Sequence, residues 1–220
     1  IKNGLSAPPR IKSVSTLIDL AIKPSWCFEM LRTKRRSFRN VIGHVDGVSD
    51  LRSLSSWVGE AFDLNFTWDD IAEIKELWGG KLILKGILDP EDAEKATQYG
   101  ADALIVSNHG GRQLDGAPSS ISMVPDIKRV VGNRMSVWID GGIRSGQDIL
   151  KAIALGAEGT LIGRPYLYGL GALGEAGVTK CLQIIQKELE ISMALCGHTE
   201  ISEVSEDIIV SKIHNDRLIS

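Results

Sequence analysis

One stretch of this chain is written twice. Glu91-Asp92-Ala93-Glu94-Lys95-Ala96 aligns with Gln147-Asp148-Ile149-Leu150-Lys151-Ala152, and in the same register Gly100-Ala101-Asp102 aligns with Gly156-Ala157-Glu158. Each copy predicts a helix that stops at a glycine, which caps its C-terminus and turns the chain. An apolar run of strand length follows each glycine. Pro90 after Asp89, and Ser145 after Arg144, are suitable residues for the two helix starts. A repeated helix–turn–strand unit feeding parallel strands leaves two architectures, a β/α barrel or a doubly wound sheet.

Four runs read as strands: Lys81–Gly86, Ala103–Ser107, Ser136–Asp140 and Gly159–Gly163. They are apolar almost throughout, as parallel strands covered on both faces must be. Each leads into residues rich in chemistry: Lys85-Gly86, Ser107-Asn108-His109-Gly110-Gly111, Asp140-Gly141-Gly142 and Gly163-Arg164-Pro165. A barrel gathers all strand C-termini on one face, whereas an open sheet concentrates function at one switch point. Four loaded strand ends in succession favour the barrel, of which only four of eight strands are visible. A helix predicted from about Gly174 to Cys196 follows. Val178, Cys181, Leu182, Ile185, Leu189 and Met193 form its packing face, and the tail after Gly197 reads as a surface-wrapping segment.

Residues 1 to about 70 are irregular by comparison and basic in the middle, so the expected division is a loop excursion over 1–70 and an α/β unit over 71–220. The chain opens Ile1-Lys2-Asn3-Gly4 without a methionine, which we read as a cut, a cleavage or a truncation. At 220 residues with 43% hydrophobic and 24% charged residues, it can bury an ordinary core. A net charge of −3 gives no pull toward nucleic acid. Cys27, Cys181 and Cys196 are scattered and lack metal-ligand spacing, so we expect free thiols and no metal. No apolar run reaches the roughly 20 residues that span a bilayer, and no signal peptide is visible.

Within Ser107–Asp115, His109 stands between polar and glycine residues, three positions before Arg112. A histidine can take a proton near neutral pH, and an arginine can fork onto a carboxylate. The glycines let a large group approach the backbone. The bland alternative is a surface turn. Lys85 is either a fixed cation beside a group that gains negative charge or a lysine reaching out from a strand end. Asp140-Gly141-Gly142-Ile143-Arg144 and Gly163-Arg164 sit where barrels hold phosphate on backbone N–H groups and a helix N-terminus. Two surface arginines are the alternative there.

Ser-Asn-His-Gly-Gly-Arg-Gln-Leu-Asp over 107–115, taken with the Lys85, Asp140–Arg144 and Gly163-Arg164 motifs in the same order, resembles the FMN-dependent 2-hydroxy-acid oxidases and dehydrogenases. The likeness covers nearly the whole chain and is strongest from Trp68 to about Gly197. It is nearest to the membrane-associated L-lactate and mandelate dehydrogenases. The resemblance implies the C-terminal half of a TIM (β/α)8 barrel, strands five to eight, preceded by the excursion after strand four. It implies FMN as cofactor and oxidation of an L-2-hydroxy acid to the 2-oxo acid. His109 matches the base, Arg112 the carboxylate-binding residue, Lys85 the cation beside the flavin and Ser107 a flavin contact. Asp140, Gly141, Gly142, Ile143, Arg144, Gly163 and Arg164 match the grip on the ribityl phosphate. Other family elements, including a carboxylate that orients the base, would precede Ile1, so activity is expected to need an N-terminal half of the same enzyme.

Residues 24–42 mix Arg32, Lys34, Arg35, Arg36 and Arg39 with Trp26, Phe28, Met30, Leu31 and Phe38. That mixture suits an anionic membrane surface, with a solvated loop as the alternative. The resemblance implies a membrane-binding insertion at this place. The expectation is a homo-oligomeric, cytoplasmic enzyme, peripheral on the cytoplasmic face of the inner membrane, that passes electrons to quinone or another respiratory acceptor. A soluble oxidase making hydrogen peroxide, an inactive half-barrel serving as a binding module, and a phosphate-binding barrel without flavin are the competing readings.

Overall fold

The computed structural model describes residues 14–33, 41, 44–48, 53, 54, 57, 58, 61 and 63–210. It divides into two compact units, residues 1–66 and 67–220.

In the first unit, α1 (Val14–Ala21) is followed by α2 (Pro24–Arg32). The sequence reading had left this stretch irregular. Pro24 in the first turn of α2 preorganises the backbone at a position whose N–H needs no intrahelical partner. Exposed apolar side chains lie on both helices, Val14, Leu17, Ile18, Trp26, Phe28 and Leu31, and at Ile22 in the turn between them. The Arg32 guanidinium lies over the Phe28 ring, 5.4 Å from its centre. Lys34, Arg35, Arg36, Phe38 and Arg39 of the basic segment lie outside the described residues, as does the Met30 side chain.

The second unit opens with α3 (Trp68–Trp78), which ends at Gly79 in a left-handed conformation. Its sheet contains β1 (Ile83–Ile87), β2 (Ala103–Val106), β3 (Ser136–Ile139) and β4 (Gly159–Thr160). The order is β1-β2-β3-β4, parallel throughout, and one row across it reads Lys85, Ile105, Trp138, Gly159. Between the strands lie α4 (Pro90–Gln98), α5 (Ser120–Val131) and α6 (Gly146–Ala154).

Two features decide for a barrel segment over a doubly wound sheet. The strand order never reverses, so the sheet has no switch point. The helices also pack on one face: Leu104, Val106, Val137 and Ile139 share a buried cluster with Ala93 and Ala96 of α4, Val124, Ile127 and Val131 of α5, and Ala152 of α6. Burying such branched side chains contributes about 1.5–3 kcal/mol each before the entropy of ordering them.

The sequence repeat is also a repeat of hydrogen bonds. After α4, Gly100 N–H donates to Thr97 and Ala101 N–H to Ala96. After α6, Gly156 donates to Ile153 and Ala157 to Ala152 in the same pattern. This is the paired closure of a left-handed helix cap, with Gly100 and Gly156 one residue beyond the cap position. The acids close each unit: Asp102 pairs with Lys75 and Lys81, and Glu158 with Lys128.

Three boundaries differ from the sequence reading. β1 continues through Gly86 to Ile87, with a shift of register between Lys85 and Ile87, so Lys85 lies inside a bulged strand and not in a loop after it. Gly86 takes φ 101 at this bulge. β4 is only two residues, so Leu161 and Ile162 lie beyond it, with the Leu161 N–H still donating to the Ile139 carbonyl at 2.8 Å. The last helix, α7, runs Arg164–Leu195 with a break at Leu173-Gly174. Its expected packing face holds at Val178, Cys181, Ile185, Leu189 and Met193, all buried or half-buried, while Leu182 is exposed and Ser192 is buried beside that face. Gly146 N–H donates to Glu188 at 3.0 Å. With no side chain there, the α7 backbone comes close and the Glu188 side of the helix turns inward.

Candidate active site

The C-terminal ends of the four strands surround a cleft of about 390 Å³. Lys85 enters from β1, His109, Gly110 and Arg112 from the segment after β2, Asp140 through Arg144 from the turn after β3, and Gly163 and Arg164 from the turn after β4. The structure therefore brings every site residue proposed from sequence except Ser107 to the wall of one cleft. Ser107 does not line the cleft; it is fully buried beneath it.

Lys85 is the hub of the floor. Its Nζ lies 2.7 Å from Asp140 Oδ2 and 3.0 Å from the Ser107 hydroxyl. The lysine snorkelling freely into solvent is thus excluded. The bulge at Gly86 and the place of Ser107 immediately after the end of β2 set this meeting. Asp140 Oδ1 is buried and has no hydrogen-bond partner among the described residues. A buried acceptor left without a donor carries its full desolvation cost.

His109 stands on a strained backbone. It takes φ 55, and Gly110 and Gly111 follow at φ 66 and 69. A left-handed histidine costs of order 1 kcal/mol or more, so its surroundings must hold it there. Its own N–H donates to the Ser107 hydroxyl at 3.1 Å, and Gly110 N–H donates to the Asn108 side chain at 3.0 Å. The imidazole lies over Gly86, where an added Cβ would stand 2.7 Å from a ring carbon. No described residue hydrogen-bonds to the ring.

Arg112 and Arg144 are exposed, and neither guanidinium pairs with a described residue. Arg164 donates to the Gly110 carbonyl over 3.4 Å, tying the start of α7 to the histidine segment. Lys85, Arg112, Arg144 and Arg164 face a single lining carboxylate, Asp140, so the cleft is electropositive. Leu161, Ile162, Pro165 and Leu167 form its apolar wall. The sequence reading named Pro165 only as part of a strand end and did not assign Leu161, Ile162 or Leu167 to the site, having placed Leu161 and Ile162 in a strand.

Over residues 1–211 the chain matches the model of one family, the FMN-dependent dehydrogenases. The chain belongs to the FMN-dependent dehydrogenase family. Relatives within it include the L-lactate dehydrogenase of Caulobacter vibrioides (strain NA1000 / CB15N), 42% identical over 212 residues that cover 96% of this chain and 55% of that protein. L-lactate dehydrogenase of Pseudomonas aeruginosa (strain LESB58) is 40% identical over the same length and shares. Among solved structures, the monotopic membrane protein (S)-mandelate dehydrogenase superposes with a TM-score of 0.84 at 35% identity, covering 92% of this chain and 53% of its own. A mandelate oxidase superposes with a TM-score of 0.66 at 39% identity, covering 70% and 45%. This FMN-dependent dehydrogenase chain spans about half the length of the curated relatives it matches. Its four parallel strands are the corresponding part of the family's β/α barrel. Among the described residues, no helix is long and apolar enough to cross a membrane.

Proposed function

We propose that this chain is the part of an FMN-dependent L-2-hydroxy-acid dehydrogenase that carries its base, its carboxylate-binding arginine and its phosphate grip. The substrate is lactate or a mandelate-like acid, and the product is the 2-oxo acid. One observation carries the reading: Lys85, His109 and Arg112 open into the same cleft as Asp140–Arg144 and Gly163-Arg164.

The residues present fit FMN. The excess of cations suits a phosphate, with Arg144, Arg164 and the start of α7 as its holders. The orphaned Asp140 Oδ1 is an acceptor waiting for a donor such as a ribityl hydroxyl. Gly141 and Gly142, at φ 88 and 85, keep the backbone bare where a large group would lie. When bound, FMN supplies the acceptor for the electron pair that leaves the substrate's C2.

The chain's own residues do the rest. Arg112 holds the substrate carboxylate in a two-point grip. His109 accepts the proton released as the C2 hydroxyl becomes a carbonyl. Lys85, fixed by Asp140 and Ser107, is a cation held where negative charge gathers, and it needs no reorganisation during the reaction. The N-terminal half of the same enzyme would complete the site and orient the imidazole, in keeping with relatives nearly twice as long.

The α1–α2 segment supplies exposed Trp26, Phe28 and Leu31 close in sequence to the basic run. We place it on an anionic membrane surface, the cytoplasmic face of the inner membrane, where quinone is the natural electron acceptor. The likeness to a monotopic mandelate dehydrogenase supports this. The likeness to mandelate oxidase favours a second reading, a soluble enzyme that reduces oxygen to hydrogen peroxide. Oxygen consumption with substrate separates the two.

The test is an absorbance spectrum of the purified full-length protein with and without L-lactate. A flavin spectrum bleached by lactate supports the reading, and a colourless protein that takes up no added FMN refutes it. His109→Gln should keep the flavin and lose bleaching; retained turnover would remove His109 as the base.

A further inference from the structure

The strained histidine segment needs an outside anchor, and the structure supplies one that the site reading leaves unused. Ser120 opens α5 and is 2% exposed, outside the cleft. Its hydroxyl oxygen accepts the Asn108 N–H at 3.1 Å. Asn108 in turn accepts Gly110 N–H on its side-chain oxygen and donates its side-chain amide to the Pro118 carbonyl at 3.3 Å. Consecutive amides at 108, 109 and 110 are thus held by Ser120, Ser107 and Asn108 respectively.

The same hydroxyl touches the second loop of the site. A Cβ added to Gly141 would stand 2.9 Å from Ser120 Oγ and 3.1 Å from Asn108 Oδ1. The space beside Gly141 is therefore taken by two polar atoms of the histidine segment's support. Ser120 stands between the base-bearing loop and the Asp140–Gly142 loop, in contact with both.

We propose that Ser120 is a positioning residue that sets His109 and Arg112 in register with the Asp140–Gly142 loop. This rests on the proposed reading of the cleft. The physical reason is local. The left-handed run at 109–111 persists only while the segment around it is over-determined, and Ser120 fixes the amide of Asn108, the residue that leads into the run, from α5, as Arg164 holds the Gly110 carbonyl from α7. Removing its oxygen leaves a half-buried N–H without a partner and a gap beside Gly141, and both loops can relax into that gap. Small misplacements of a base cost far more in rate than in stability.

The experiment compares Ser120→Ala, Ser120→Cys and Ser120→Thr in the FMN-loaded full-length enzyme. We expect kcat per bound flavin to fall about tenfold or more in Ser120→Ala, with a higher KM for the hydroxy acid and a weaker FMN dissociation constant. Amide hydrogen exchange should accelerate in the peptide spanning 107–112. Ser120→Cys, close in size but a poor acceptor, should fall between, and Ser120→Thr, which keeps the hydroxyl, should restore kcat, KM and FMN affinity. Unchanged kcat per flavin, KM and exchange in Ser120→Ala overturns the proposal even if the melting temperature drops. Should that variant not fold, the same unchanged values in Ser120→Cys overturn it. A wild-type enzyme that neither binds FMN nor is bleached by lactate refutes the reading of the cleft instead. In that case the exchange comparison alone still decides whether Ser120 anchors the loop.

Discussion

The imidazole of His109 rests on the bare backbone of Gly86, so close that a Cβ there would stand 2.7 Å from its ring carbon. The strand bulge that brings Lys85 to the floor also leaves Gly86 at φ 101 beneath the base. Gly86→Ala therefore does two things: it strains the backbone and pushes the ring. We expect a loss of about 1–3 kcal/mol of stability. The fall in kcat per bound flavin should be tenfold or more, beyond what lost folded protein explains. Titrating FMN into the variant and normalising turnover to bound flavin checks this, and normal turnover per flavin would show that the ring does not depend on that seat.

Arg112 is exposed and without an ion pair to any described residue, as a group reserved for a ligand should be. Arg112→Ala in the complete enzyme is expected to raise KM sharply and to lower kcat/KM by a few kcal/mol, because the substrate carboxylate loses its partner. Arg112→Lys should recover only part, since an ammonium cannot fork onto both oxygens. Steady-state kinetics with L-lactate decide the matter; a lysine variant equal to wild type would contradict two-point binding.

Asp102 gives the fold an acid-sensitive joint. The hydrogen bond from Lys75, then that from Lys81 and the Leu82 N–H, hold its carboxyl well below the usual carboxylate range. Its folded-state pKa is depressed, so the unfolded chain takes up the proton first, near pH 4. The stability it contributes is complete above that pH and drains away as pH falls toward the folded value. Melting temperatures of wild type and Asp102→Asn should differ most above about pH 5, and the gap should narrow steadily as pH falls from about 4 to about 3. A gap that stays constant across that range would count against the clamp.

Deleting residues 25–39 removes Trp26, Phe28, Leu31 and the basic run. The protein should then leave anionic vesicles and appear in the supernatant, while a flavin already bound should still bleach with lactate. Each lost cation contributes about 1 kcal/mol near such a surface, so raising salt should weaken the wild type in the same direction. Continued co-sedimentation of the deletion variant would defeat the membrane assignment.

Sequence alone determined a good deal here. The doubled Gly-Ala-acid motif specified two helix ends and two strands, because a left-handed cap is a local demand that a glycine answers. The residue types at the four strand ends, and their order, were enough to name His109, Arg112, Lys85 and the Asp140–Arg144 and Gly163-Arg164 segments. Only the tertiary structure decided how those groups meet. That Lys85 lies within a bulged strand and pairs with Asp140 follows from strand register, which spacing along the chain does not encode. The helices' choice of one sheet face, and with it the barrel, came from packing around Leu104, Val106, Val137 and Ile139. Nothing in the sequence singled out Ser120; its oxygen matters because the fold sets it between Asn108 and Gly141. Local signals act over a few residues, while the contacts that arm this cleft join segments that only the parallel sheet brings together.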